Sequence, residues 1–490
     1  MSSTAIYRAQ RLPPPLDFAL LRQFFLYFLV LCVVIAPFTP DPLAWAGGAA
    51  VPWVILRIVG TPSMPAAVSY LFLWQWVQIF ARALQTLVDG ESMVTSFSGP
   101  NVARAYWYML SSLVVMALAF RLVLWNLKTP TQAQRTAYYH WDVRHLLSFY
   151  IGTLVISVIA DLAGRVVPAL GQPFGAVGLV KIVGLFMLFV YVMSTGRGTK
   201  FLLGAILFEI GIGFTGFLSD FRGVFIFLGV AAIAARVRMS GSATAATFIA
   251  AGALISLALF WTSVKGDYRH FAAGSEESQE IKTGLSERMA YLGGKALSSG
   301  SMSVGDSAYM LLRRLAYTDI FASVIDVQDL APEIIPMRQW SEGVGHVLMP
   351  RFLFPGKPPL VDSDVYMRLT RRFLAEEIRA GTSISVGYMG ENYADLGFPG
   401  MLLGMGLIGL MLAGLVRLVM NFKLPLVMRE GIVMGLAFNM SRDGVEVSLP
   451  KILGAMFMFF LVYLLMNKFF FPKVVTWLDK KSAMTRMKRA

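Results

Sequence analysis

Long apolar runs constrain this chain more than any other feature of its sequence. A stretch of about 17 to 25 apolar residues can cross a bilayer as a helix. Of the 490 residues, 56% are hydrophobic and only 15% are charged, a balance that is rare in soluble domains. The sequence therefore predicts an all-α polytopic membrane protein with about 12 transmembrane helices. The predicted spans are 20–37, 43–60, 65–88, 106–126, 146–164, 174–194, 201–218, 221–236, 246–264, 398–420, 426–442 and 452–471.

Basic residues concentrate in every second connection between these runs. Cytoplasmic connections carry an excess of Lys and Arg, so the alternation predicts that both termini are cytoplasmic. The same alternation places the long insertion 265–397 on the opposite side of the membrane. The basic connections are the amino end with Arg8 and Arg11, 126–145, 197–200, 236–238, 423–429 and the tail that begins near 472.

The insertion divides the chain into four parts. We expect a first membrane domain at 1–264, a large external loop at 265–397, three further spans at 398–471 and a basic tail at 472–490. The loop is slightly acidic, and the rest of the chain carries the whole of the net charge of +14. The positive charge is therefore topogenic, and it forms no clustered basic face of the kind that binds nucleic acid.

Cysteine and histidine usage excludes several kinds of site. The only cysteine is Cys32, so neither a disulfide nor a cysteine-based zinc site can form within the chain. The four histidines show no metal-ligand spacing. They are His140, His145, His270 and His346. We expect neither a metal nor a cofactor.

The external loop contains enough aromatic residues to fold against the membrane domain. Helical spacing of apolar residues predicts one helix over 361–381, with Asp362 or Asp364 as its amino-terminal cap and Gly381 at its end. A second helix is predicted over 305–326, capped by Asp306.

Two ionisable residues fall inside predicted spans. Lys181 lies in the sixth span and Glu209 in the seventh, at similar depths. Charges at membrane depth mark either function or a paired structural role. We predict an intramembrane polar pair that either holds two helices in register or contacts substrate.

Other cations are predicted at the outer surface. Arg222 opens the eighth span and Arg442 follows the eleventh, each at headgroup level. Arg222 there is either a snorkelling anchor or a ligand for phosphate. In PRFLFPGKPP, 350–359, four prolines stiffen the chain around Arg351 and Lys357, which form either a surface turn or a second phosphate contact.

The loop returns to the membrane through SVGYMGENYADLGFPG, 385–400. Glu391 and Asp395 are four residues apart and share one face if this segment is helical. A carboxylate at the membrane edge beside cations can act as a general base. Capping of a helix is an equally good interpretation.

These pieces together resemble the Wzy-type oligosaccharide repeat-unit polymerases of bacterial O-antigen and exopolysaccharide assembly. The similar features are the Arg222–Gly223 pair at the start of a span, the large loop before the last three spans, PRFLFPGKPP and GENYADLGFPG. They cover about 200–420. Relatives often have serine immediately before the arginine, where this chain has Phe221.

The resemblance implies a metal-independent, inverting glycosyltransferase with a GT-C-like membrane architecture in the bacterial inner membrane. It would join undecaprenyl-diphosphate-linked oligosaccharides at the periplasmic face, within the lipid bilayer, and a chain-length regulator would be a natural protein partner. On this interpretation the residues that bind the diphosphate are Arg222, Arg351, Lys357 and Arg442. The general base is Glu391 or His346.

Three alternatives remain at this point. A ligase would use the same donor with a different acceptor. A flippase or other transporter would concentrate polar residues near the membrane midplane, often in repeated halves, whereas the unusual charges here lie near the outer surface. A noncatalytic scaffold would not need so many cations in a folded loop.

Overall fold

Helices form almost all of the regular structure. The computed structural model describes residues 13–96, 99–215, 221–273, 282–297, 304–331, 337–349, 353–354, 356–357, 360–372 and 384–487. Within these ranges no strand occurs beyond an isolated bridge between Pro15 and Arg238. The helices before the loop are α1 Phe18–Ile35, α2 Pro42–Ile58, α3 Ala67–Asp89, α4 Asn101–Leu124, α5 Gln132–Thr136, α6 Val143–Val166, α7 Gly171–Gly178, α8 Val180–Thr195, α9 Thr199–Thr215, α10 Arg222–Ala234 and α11 Gly241–Ala273.

The loop and the carboxyl-terminal part add nine more described helices. In the loop lie α12 Leu285–Leu297, α13 Val304–Leu315, α14 Thr318–Leu330, α15 Arg338–Leu348 and α16 Asp362–Thr370. The remaining helices are α17 Tyr388–Met420, α18 Leu426–Ser441, α19 Leu449–Phe469 and α20 Phe471–Met487.

Of the twelve predicted spans, the described parts are largely helical, with 174–194 divided between α7 and α8, and seven helical segments are long and apolar enough to cross a membrane. Two shorter apolar helices, α2 and α10, accompany them. By length and composition, these helices are compatible with a helical membrane protein. The seven segments are Phe18–Phe38, Asn101–Leu124, Val143–Val166, Pro168–Thr195, Gly241–Ala273, Tyr388–Met420 and Leu449–Phe469.

Helix α8 lies at the centre of the bundle. It is apolar on all sides, and its residues from Leu185 to Val192 are at most 3% exposed. A helix that is hydrophobic all round is stable only when neighbours cover every face. Here α6, α9, α10 and α18 surround it.

Helix α17 is broken near its start. Gly397 has a φ of 61° and Phe398 is extended, because Pro399 cannot continue the hydrogen-bond ladder of the preceding turn. The break folds 388–396 back against the longer part of the helix. A Cβ added at Gly404 would lie 1.8 Å from the Asn392 side-chain oxygen, so only glycine permits this approach. The break falls where the sequence predicts the tenth span to begin.

The two ends of the bundle differ. At one end, which we call the basic end, the connections that carry the predicted cytoplasmic charges meet. There Trp141 donates a 2.7 Å hydrogen bond to Asp479, and Arg417 donates one of 2.7 Å to the Val123 carbonyl. At the other, the loop end, α13 packs against α3, α14 against α4, and α16 against α14. The described loop helices thus cover one end of the membrane bundle.

Two predictions about the loop helices are wrong. The helix predicted over 305–326 is interrupted at 316–317, because α13 packs on α3 and α11 while α14 turns to pack on α4. Asp362 caps no amide of α16; its buried carboxylate instead accepts hydrogen bonds from Ser448 and Lys451. The helix ends at Thr370, where Arg371 adopts a φ of 55°, and 373–381 lie outside the described residues.

Candidate functional site

The turn 442–448 between α18 and α19, here called the outer turn, is the meeting point of the loop end. Gln78 of α3 accepts a 2.9 Å hydrogen bond from the Val445 amide and donates one of 3.4 Å to Glu446. From the opposite side, the Tyr388 amide donates to the Val447 carbonyl at 2.7 Å. The turn is therefore fixed by α3 and by the first residues of α17.

Arg222 lies against this turn. Its Nη2 donates a 2.6 Å hydrogen bond to the Arg442 carbonyl, and its guanidinium lies 5.2 Å from the centroid of the Trp74 ring. A carbonyl and an aromatic face orient a guanidinium without neutralising its charge. The structure thus places the Arg222 guanidinium against the backbone of Arg442, the second cation that the sequence assigns to this surface.

Three further cations lie at the same place. Arg314 of α13 acts electrostatically on Glu446 of the outer turn, and also on Lys265 and Arg269 of α11. With Arg222 they form what we call the cation cluster, contributed by α10, α11 and α13. Arg222 and Arg314 act directly on Glu446 of the outer turn, and Lys265 and Arg269 join them through Arg314.

Glu446 is the acidic residue placed within this cluster. Its burial raises the pKa of the carboxyl to about 7, while the nearby Arg314 and Arg222 oppose the rise and Asp443 adds to it. A carboxyl that exchanges its proton near neutral pH is suited to general acid–base catalysis. The cluster thus offers both an anion site and a proton acceptor.

Polar residues of α3 connect the cluster to the rest of the loop. Gln75, Gln78 and Arg82 lie on one face of the helix, and Arg82, only 3% exposed, forms a 2.9 Å ion pair with Asp319. Tyr388 donates a hydrogen bond to Gln75. The sequence analysis does not predict this stripe, although polar residues at helical spacing inside a predicted span are a recognisable signal.

Glu391 and Asp395 cap helices that begin elsewhere in the chain. Glu391 is 1% exposed, and one carboxylate oxygen accepts a 2.9 Å hydrogen bond from the Leu449 amide at the start of α19. Asp395 accepts from the amides of Gln339 and Trp340, at 2.9 and 2.8 Å, at the start of α15. These contacts favour the capping interpretation over a catalytic base.

His346 and Lys357 lie on a different face. Lys357 donates hydrogen bonds to the carbonyls of His346 and, at 2.8 Å, Met349, so it binds the carboxyl-terminal turn of α15. That helix packs against α17 and α19, whereas α10, which carries Arg222, packs against α3 and α8. Arg351 lies outside the described residues.

Lys181 and Glu209 lie together inside the bundle. The Lys181 ammonium is 2.7 Å from a Glu209 carboxylate oxygen, and the Tyr150 hydroxyl donates to the other. The three residues come from α8, α9 and α6. This arrangement is typical of a buried pair that holds helices in register.

Within the described part of the chain, no group of three or more His, Cys, Asp or Glu side chains is placed to hold a metal ion. No protein-family model matches the chain, and no curated protein or solved structure is significantly similar to it. The geometry of the loop end is therefore the basis for a functional interpretation.

Proposed function

We propose that this protein is a bacterial inner-membrane glycosyltransferase that polymerises undecaprenyl-diphosphate-linked oligosaccharide repeat units at the periplasmic face. The observation that carries the proposal is the cation cluster: four basic side chains from three separate helices beside the outer turn. A diphosphate is the kind of polyanion that such a cluster binds, and guanidinium groups bind phosphate oxygens bidentately.

The cluster supplies what the reaction needs. When an acceptor hydroxyl attacks the anomeric carbon, the bond between that carbon and the diphosphate oxygen breaks, and negative charge develops on the departing lipid diphosphate. Preorganised cations stabilise this charge in the transition state. Since attack and departure occur on opposite faces of the sugar carbon, the transfer inverts its configuration.

The acceptor hydroxyl must lose a proton during this transfer. We propose that Glu446 accepts this proton, because its carboxyl lies beside the cluster and its pKa is near neutral pH. Glu391, the preferred base on sequence grounds, already uses one oxygen to cap α19.

The proposal includes a topology. With the basic end in the cytoplasm, as the positive-inside rule predicts, the loop end lies at the outer leaflet. About 12 spans in a GT-C-like arrangement then hold the cluster at headgroup depth, where the carrier diphosphate lies. The cluster belongs to one end of the bundle, which favours a transferase over a transporter with a site at the midplane.

The decisive experiment follows the polymer in a strain that carries Arg222→Ala. We expect single lipid-linked repeat units to accumulate outside the inner membrane and long polymer to disappear, with the protein still present in the membrane. Arg222→Lys should restore only part of the polymer, since a lysine keeps the charge but lacks the guanidinium fork.

Two other outcomes would replace the proposal. Accumulation of precursor on the cytoplasmic side would indicate a flippase. Full-length polymer that stays on its lipid carrier would indicate a ligase. The control is Arg313→Ala, which removes an exposed arginine adjacent to Arg314 and outside the cluster.

A further inference from the structure

A second cationic site lies at the basic end of the bundle. A cavity of about 490 Å³ opens between the end of α4, the connection 126–134 and the junction of α17 with α18. Its basic lining residues are Lys128, Arg417 and Arg429, and among the residues that the structure describes no Asp or Glu lines it. The amide side chains of Asn126 and Asn421 add hydrogen-bonding groups.

The two arginines are only partly committed to the protein. Arg417 donates from Nη1 to the Val123 carbonyl at 2.7 Å, and Arg429 donates from Nη1 to the Met420 carbonyl, each at the end of a helix. Arg429 Nε is buried and has no hydrogen-bond partner in the described structure. A guanidinium carries five donors, and the described hydrogen bonds of these two groups use only Nη1, so their Nη2 groups are left for a ligand.

Topogenic charge alone does not require this arrangement. Lys and Arg in a cytoplasmic connection fulfil the positive-inside rule while exposed, and Lys423 in the same region is exposed. Here Arg417 and Arg429 are instead partly buried in the wall of a cavity with no carboxylate in its described lining, and the buried Glu430 next to Arg429 offsets only part of the positive charge. Such a cavity is electrostatically complementary to an anion.

The surface beside the cavity suits a lipid. Leu118, Leu122 and Trp125 follow one face of α4 toward the cavity and are 52%, 68% and 68% exposed. Apolar residues that end in a tryptophan are typical of a membrane–water interface. An anionic phospholipid could lay its acyl chains along this face with its phosphate in the cavity.

We propose that this cavity binds a phosphate-bearing ligand, and that the ligand is the headgroup of an anionic phospholipid in the adjacent leaflet. Basic pockets between transmembrane helices on the cytoplasmic side bind lipid headgroups in this way. The site is separate from the cation cluster, at the opposite end of the bundle, and does not depend on the proposed transfer reaction.

Native mass spectrometry of the full-length protein in neutral detergent tests the proposal. The protein should retain phosphatidylglycerol in preference to phosphatidylcholine. Each of Lys128→Gln and Arg429→Gln should lower phosphatidylglycerol retention by about fivefold, because each removes one charge next to the phosphate. Lys423→Gln makes the same change of charge at an exposed position outside the cavity and should retain the lipid as the unmodified protein does.

Two further measurements separate binding from folding and lipid from free phosphate. Lys128 is exposed, so Lys128→Gln should leave the melting temperature of the lipid-free protein unchanged, and Arg429→Lys should recover most of the retention. If inorganic phosphate stabilises the protein and phosphatidylglycerol is not preferred, the cavity binds phosphate but the proposal that the ligand is a lipid headgroup is wrong. If Lys128→Gln and Arg429→Gln both retain phosphatidylglycerol normally and phosphate has no effect, the proposal is wrong.

Discussion

The two ends of the bundle both gather cations, but they surround them differently. At the loop end, the cation cluster contains acidic residues, Glu446 among them, and the outer turn at its centre is fixed by hydrogen bonds from α3 and α17. At the basic end, Lys128, Arg417 and Arg429 line a cavity without a carboxylate among the described residues. Cations alone suit binding of an anion, whereas cations around a carboxyl of shifted pKa also suit proton transfer.

The largest expected effect would test whether the loop end performs the chemistry. Arg314→Ala removes a cluster cation, and transfer should fall by about 100-fold or more, since loss of one preorganised charge-stabilising group has that effect on kcat. The measurement is polymer formation by purified protein in liposomes from lipid-linked repeat units. Arg313→Ala at the loop end and Lys423→Ala at the basic end should each retain activity; an equal loss in either would remove the distinction between the ends.

Stability should respond strongly at the loop end too. Asp319→Ala leaves the guanidinium of Arg82, which is 3% exposed, without its ion-pair partner. Removal of one partner from a buried pair costs about 3–5 kcal/mol; the Asp319 side chain is 33% exposed, so we expect about 2–3 kcal/mol. Thermal unfolding of the full-length protein in detergent measures this. Arg82→Ala should cost less, because the partner left behind, Asp319, is the more exposed of the two.

The helices themselves were predictable from sequence, because a long apolar run has few alternatives in a membrane. The partners of Glu391 and Asp395 were not. Each carboxylate caps the first turn of a helix more than 50 residues away, through the amides of Leu449 and Gln339, and no local pattern encodes such a contact. The sequence therefore left capping and catalysis equally open for Glu391.

The cation cluster was predictable only in part. Arg222 could be placed at the outer surface because it adjoins a span end. Lys265, Arg269 and Arg314 join it only through the packing of α13 against α3 and α11, which depends on where the loop helices break. The sequence between α13 and α14 contains no glycine or proline that would predict the break.

A backbone substitution would test how firmly the outer turn must be held. Gly387 has a φ of 82°, and a Cβ added there would lie 2.1 Å from the Val445 carbonyl oxygen. Gly387→Ala should therefore push the outer turn away from α17 and lower stability by about 1–3 kcal/mol. Thermal unfolding and transfer activity should fall together. Gly414→Ala is the control, because a Cβ at that position meets nothing within 4 Å.

The pH dependence should distinguish the two ends by mechanism. Only ionised Glu446 can accept a proton, so transfer should increase about tenfold per pH unit up to about pH 7 and then level off. Burial raises the pKa of Glu446 in the folded protein above its usual value of 4.5, so ionisation of this carboxyl opposes folding. Its contribution to the free energy of unfolding should therefore decline as the pH rises from about 4.5 to 7. Glu446→Gln should abolish both dependences. An unchanged pH profile in that variant would exclude Glu446 as the proton acceptor.

The smallest effect is expected from an ion pair at the basic end. Asp479 accepts hydrogen bonds from His140 and Trp141, at 2.8 and 2.7 Å, but the two side chains of the His140–Asp479 pair are 38% and 49% exposed. Water and salt screen such a pair, so Asp479→Asn should change stability by less than about 1 kcal/mol. The same variant should leave transfer unchanged. Trp141 also donates to Asp479, and its ring is only 3% exposed. A loss of stability comparable to that of Asp319→Ala would mean that this contact holds α20 in place as firmly as the Arg82–Asp319 pair holds the loop.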